Sequence, residues 1–151
     1  MPGKASLERQ QYYAHLRNAF WPIMGGLFGA GPELPYAERL TKLTAVGIAL
    51  WDVLENCFRP GSLDSSITDA TARPNDFAAF FAAHDTIRHV FFNGRKAADI
   101  FRRKVLPELG SGYEAPELRT LPSTSPAHAS RSYAEKLRDW SIVRDALLGK
   151  E

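Results

Sequence analysis

The sequence predicts an α/β fold, a three-layer α/β/α arrangement around a short, mostly parallel central sheet. Three observations carry that expectation. Short apolar or β-branched segments alternate with longer helical patterns, as parallel strands joined by crossover helices do. Polar, small and proline-restrained residues gather directly after each of those segments. The balance of 44% hydrophobic and 24% charged residues over 151 positions suits one domain with a real core, and excludes a disordered tail, a fibre or a disulfide-stapled scaffold.

The elements follow in order. Residues 18–28 are apolar on most faces and read as a helix; residues 35–44 start a second on Pro35. Val46-Gly47-Ile48-Ala49-Leu50-Trp51 reads as a buried strand running into Asp52. Residues 59–74, rich in Asp, Ser, Thr and Pro, read as one long surface loop. Asn75-Asp76 then opens a helix at Phe77. The aromatic and β-branched run 87–92 is a second strand ending at Asn93-Gly94, and residues 94–105 form a helix with Ala97, Ile100, Phe101 and Leu106 at helical spacing. Glu117-Leu118-Arg119-Thr120-Leu121 is the third strand, ending at Pro122-Ser123. Residues 132–148 place Tyr133, Leu137, Trp140, Val143 and Leu147 on one stripe of an amphipathic closing helix. A doubly wound sheet this small calls for a fourth strand, expected upstream of Met1. No repeat or linker divides the chain, so residues 1–151 are expected to be a single domain.

Nineteen Lys and Arg against seventeen Asp and Glu give a net charge of +2, too small to announce a nucleic-acid binder. Its distribution is uneven. Asp52, Glu55, Asp64, Asp69, Asp76 and Asp85 face only Arg59 and Arg73 in residues 52–85, so the positive excess lies elsewhere. The lone cysteine, Cys57, closes no internal disulfide and fits a reducing compartment. The apolar run Phe77–Ala83 is too short to span a bilayer, and no export signal opens the chain. A cytoplasmic protein without membrane association, acting as a monomer, is expected.

Several chemistries are disfavoured. Neither glycine-rich phosphate loop follows a strand, since Gly25-Gly26-Leu27-Phe28-Gly29-Ala30-Gly31 ends a helix instead. His15, His84, His89 and His128 are too scattered for a zinc site, and one cysteine cannot hold an iron–sulfur cluster. No Gly-x-Ser-x-Gly elbow is present. Leu106-Pro107-Glu108-Leu109-Gly110-Ser111-Gly112 resembles the hairpin of a helix–hairpin–helix unit, but Pro116 and a strand follow too soon for its second helix. No metal or organic cofactor is expected.

Sites in open parallel sheets form beyond the carboxyl ends of the strands. Those ends are Asp52, Asn93-Gly94 and Pro122-Ser123-Thr124-Ser125-Pro126-Ala127-His128. Their order resembles a known family. Met1-Pro2-Gly3-Lys4-Ala5-Ser6-Leu7 with Gln10-Gln11-Tyr12-Tyr13-Ala14-His15-Leu16-Arg17-Asn18-Ala19-Phe20-Trp21 is similar to the first motif of hypoxanthine-DNA glycosylases, a branch of the uracil-DNA glycosylase superfamily. Gly47-Ile48-Ala49-Leu50-Trp51-Asp52 with Gly61-Ser62-Leu63-Asp64, then Phe91-Phe92-Asn93-Gly94-Arg95-Lys96, then Leu121-Pro122-Ser123-Thr124-Ser125-Pro126-Ala127-His128 resemble its later motifs. The similarity runs through nearly the whole chain. Two positions depart from the pattern: the first motif begins at Met1 where the family has Gly-Ser-x-Pro-Gly, and Leu16 replaces a usual proline.

The resemblance implies a monofunctional DNA glycosylase that hydrolyses the N-glycosidic bond of a flipped, deaminated base, hypoxanthine, with DNA carrying that base as partner. Alternatives are a mismatch uracil or thymine glycosylase and a non-catalytic nucleic-acid-binding module; Leu121 stands where uracil-specific enzymes carry histidine, and no lysine has a motif for Schiff-base attack. Asn18 falls at the water-orienting, catalytic position, and serves equally as an N-cap. Phe20 or Trp21 matches the aromatic that stacks on the base, against a plain core role. Asp52 and Asn93 fall where a base would be read, or cap turns. Pro122, Ser123, Thr124, Ser125 and His128, with Arg95, Lys96 and Arg131, fall against the DNA backbone, or form a structural loop and a solvated face.

Overall fold

A computed structural model describes residues 12–13, 17–56, 73–110, 116–127 and 130–149. In chain order its elements are α1 (Phe20–Phe28), α2 (Tyr36–Ala45), β1 (Leu54–Asn56), β2 (Arg73–Pro74), α3 (Phe77–Ala83), β3 (His89–Asn93), α4 (Arg95–Ile100) continued by a π-helical turn (Phe101–Val105) and a 3-10 turn (Leu106–Glu108), β4 (Glu117–Leu121) and α5 (Tyr133–Leu147). The fold is α/β, with β3 and β4 parallel and joined through α4. The chain divides into two compact units, residues 52–121 and residues 2–51 with 122–151.

In the second of these units α1, α2 and α5 carry the packing. Pro22 sits in the first turn of α1, where a missing N–H breaks no helical bond, and Gly29 at φ 73 ends the helix in the left-handed region. Phe20, Trp21, Ile23 and Met24 are buried along α1. Phe20 meets Trp140 of α5 edge-on at 5.9 Å, and the Tyr133 hydroxyl donates to the Pro22 carbonyl at 3.1 Å. A Cβ on Gly26 would stand 3.1 Å from Leu137, so glycine allows this close approach. The buried face of α5 runs through Lys136, Trp140 and Val143, while Tyr133 and Leu147, placed on the stripe by periodicity, are exposed.

The expected strand at residues 46–51 is corrected. Ile48 N–H donates to the Leu43 carbonyl at 2.9 Å and Gly47 N–H to Thr44 at 3.0 Å, with Gly47 at φ 93. This is the two-bond C-terminal motif that satisfies the last carbonyls of a helix. Val46-Gly47-Ile48 therefore ends α2, and the strand follows later, at β1.

In residues 52–121, β3 and β4 pair in register from His89 with Glu117 to Asn93 with Leu121. The core beneath them gathers Val53, Phe77, Phe81, Phe92, Ala98, Ile100, Phe101 and Val105. Phe101 contacts Phe77 at 5.2 Å and Phe92 at 5.0 Å, so three elements converge on one ring. Asp76 caps α3 as expected, accepting from Ala79 N–H at 3.0 Å. β2 pairs antiparallel with β1, so Arg73 and Pro74 belong to a strand rather than to the expected loop; residues 57–72 lie outside the described residues. The strand expected upstream of Met1 also lies outside them.

Candidate functional site

Residues of the first and last motifs come together in the unit formed by residues 2–51 and 122–151. Asn18 is half-buried, and its Oδ1 accepts from Phe20 N–H at 2.9 Å, satisfying one of the first amides of α1. The next residue, Ala19, donates its N–H to the Thr124 carbonyl at 3.0 Å. Pro122 is held at its carbonyl by Trp140 Nε1 at 2.9 Å. Within the loop, Ser123 Oγ accepts from Ser125 N–H and Ser125 Oγ from Ala127 N–H, each at 3.2 Å. Thr124 is buried. Two prolines, two serine turns and two clamped carbonyls thus fix the backbone. The serine hydroxyls, acceptors towards the amides, keep O–H groups to donate to an anionic oxygen.

Phe20 and Trp21 lie in the core at 3% and 4% exposure. Their rings meet at 4.9 Å; Trp21 Nε1 donates to the Tyr12 carbonyl, and the Arg39 guanidinium lies 5.2 Å from its ring. The half-buried ring over Phe20 is Tyr13, with centroids 4.1 Å apart. Among the described residues Tyr13 alone is a non-glycine at positive φ, 56°. That conformation costs a bulky side chain about 1–2 kcal/mol. Residue type alone gave no sign of it, because any tyrosine prefers negative φ.

The other candidates lie in residues 52–121. The main-chain carbonyl of half-buried Asp52 accepts from Asn75 Nδ2 at 2.7 Å, a contact hidden in the sequence behind the helix-start reading of Asn75. Asn93 ends β3 opposite Leu121. Gly94 follows at φ 96, its N–H donating to Leu121 and Phe92 carbonyls at 3.0 Å, so the Asn-Gly pair does turn the chain. Arg95 is exposed and Lys96 half-buried in the first turn of α4. Cations there oppose the helix dipole. His128 lies outside the described residues.

A cavity of about 240 Å³ opens between the start of α3 and the π-helical turn, bordered by Asn75, Asp76, Phe77, Lys104, Val105 and Glu108. None of the expected site residues lines it. Among the described residues no three His, Cys, Asp or Glu side chains cluster in a way that could hold a metal ion, and no helix is long and apolar enough to cross a membrane.

No protein-family model matches the chain. A hypoxanthine DNA glycosylase of Methanosarcina acetivorans is 34% identical over 145 residues, 95% of this chain and 85% of that protein. Another of the same name from Methanosarcina barkeri is 33% identical over 100 residues, 66% of this chain and 62% of its own length. The solution structure of a proposed uracil DNA glycosylase from Methanosarcina acetivorans superposes with a TM-score of 0.75, at 32% identity, covering 97% of this chain and 86% of that one. At this identity and coverage, the chain belongs to the hypoxanthine DNA glycosylase family, hydrolases that act on N-glycosyl bonds in DNA.

Proposed function

We propose that the chain excises hypoxanthine from DNA, hydrolysing the N-glycosyl bond of a flipped deoxyinosine and leaving an abasic site. The observation that carries the site reading is the 3.0 Å bond from Ala19 N–H to Thr124, which ties the residue beside Asn18 to the loop of Pro122, Ser123, Thr124 and Ser125. A glycosylase needs a positioned water close to the grip on the flipped nucleotide's backbone, and this bond supports that pairing.

In this reading the bond to Phe20 N–H holds the Asn18 side chain still, and its amide orients the water that attacks as positive charge develops on the sugar. The loop hydroxyls donate to phosphate, with His128 closing the motif. Phe20 and Trp21 act from the core, backing Tyr13, which is the ring that meets the base. Asp52 accepts from the N1–H edge of hypoxanthine, Asn93 assists in reading the base, and Arg95 and Lys96 meet the backbone. Because the relatives match residues of both units, residues 1–151 are read as one uracil-DNA-glycosylase-like domain. It acts as a cytoplasmic monomer.

The test is a panel of oligonucleotides carrying deoxyinosine, deoxyuridine or a thymine mismatch, single- and double-stranded, resolved with and without alkali. Deoxyinosine strands should break fastest, and only after alkali, since no lyase step is implied. Breakage confined to deoxyuridine would favour uracil chemistry, a second reading supported by the likeness to the proposed uracil DNA glycosylase. No breakage of any strand would overturn both.

A further inference from the structure

We infer that Arg102 is a DNA-phosphate contact and that α4 with its π-helical continuation tracks the duplex backbone from Arg95 to Arg102. The inference rests on the DNA-acting reading above and extends it to residues outside the family-like motifs.

Arg102 is exposed, yet its guanidinium is steadied 5.9 Å from the ring of Phe92, the residue before Asn93. Among the described residues no carboxylate pairs with Arg102 or with Arg95. Neither guanidinium is committed to a salt bridge, with Asp99 exposed between them on the same segment, and one is already oriented. Arg119 and Arg131 differ, being committed to Glu117 and Asp139.

The segment from Arg95 to Glu108 carries Arg95, Lys96, Arg102, Arg103 and Lys104 against only Asp99 and Glu108. The helix dipole accounts for basic residues at its last turns but not for Arg95 at its first. An external polyanion satisfies Arg95 and Arg102. Arg102 stands seven positions after Arg95, across the junction of α4 with the π-helical turn, about 10 Å along the axis at ~1.5 Å per residue. At ~3.4 Å of axial rise per nucleotide that spans about three nucleotides of one strand. A planar guanidinium also suits the paired oxygens of a phosphodiester, and its contact carries no sequence information.

The experiment measures dissociation constants of the full chain for a duplex with deoxyinosine and for the same duplex undamaged, across a KCl series. Variants are Arg102→Ala, Arg102→Lys and, as a control on α5, Arg144→Ala, with thermal melting to verify folding. Arg102→Ala should weaken both duplexes by roughly fivefold and reduce the slope of log affinity against log salt by about one, Arg102→Lys should restore most of that slope, and Arg144→Ala should leave it alone. An unchanged slope in a folded Arg102→Ala protein overturns the inference while leaving base excision untouched. A lowered slope in a protein that excises no base would keep the phosphate contact and sink the excision reading instead. Wild-type protein without salt-dependent duplex affinity would overturn the contact outright.

Discussion

The proposed reading gives Asn18 two roles in one side chain, and they separate by substitution. Its Oδ1 closes a 2.9 Å bond on Phe20 N–H, while among the described residues its Nδ2 makes no hydrogen bond. Serine also satisfies a helix-start amide, so Asn18→Ser should keep most of the stability, whereas Asn18→Ala should cost about 1 kcal/mol as well. Both should lower single-turnover excision of hypoxanthine by about a hundredfold or more while retaining duplex affinity within a few fold. Full excision by a stable Asn18→Ser protein would show that the residue is only a cap. The candidate site was legible here to the extent that residue type and spacing suffice: Asn18 and the serine-rich loop were both marked by motif. Tyr13 lies in the first motif too, but its placement over Phe20 was not legible, since its backbone is left-handed and backbone sign is not written in a tyrosine.

Elements are fixed by their ends as much as by their faces. In α1, a Cβ on Gly25 would stand 2.8 Å from the Gly31 main chain, whereas one on Gly26 meets the movable end of Leu137 at 3.1 Å. Alanine gains about 1 kcal/mol of helix propensity at either site, but against backbone that gain is outweighed by an overpacking cost of about 1–3 kcal/mol. Gly25→Ala should therefore melt below Gly26→Ala; equal melting temperatures would refute the close approach. At α5, Ser132 and Glu135 form a reciprocal capping box, and the Ser132 amide, then its hydroxyl, hold the Glu135 carboxyl below its ordinary 4.5. A depressed folded value means that the charged cap contributes above about pH 4.5 and is lost as pH falls through the folded value. The melting difference between wild type and Glu135→Gln should accordingly shrink on acidification below pH 4.5; a constant difference would show that the charge is idle. These ends also explain how well the elements could be read. Residues 117–121 and the Asp76 and Ser132 helix starts carry their own local signals. Residues 46–51 carry an apolar run that fits a strand equally well, and only the hydrogen bonds of Gly47 and Ile48 to α2 reveal a helix end.

At the scale of the molecule, charge distribution matters more than the total of +2. Residues 52–85 hold a local acidic excess, with Asp85 exposed just after α3, while the cations assigned to DNA lie elsewhere in the sequence. Counterion release depends on the number of phosphates a protein neutralises, not on its net charge, and at physiological salt a charge is screened beyond about 8 Å. Two changes of equal size in net charge should then behave differently. Asp85→Asn adds one positive unit, yet it creates no phosphate contact. Its slope of log affinity against log salt should match that of the wild type, with affinity shifted by less than about twofold at 0.15 M salt. Arg102→Ala removes one unit and should lose about one unit of slope. If Asp85→Asn steepened the slope as much as Arg102→Ala flattens it, DNA would be responding to the overall field rather than to placed cations, and the assignment of individual arginines to phosphates would fall.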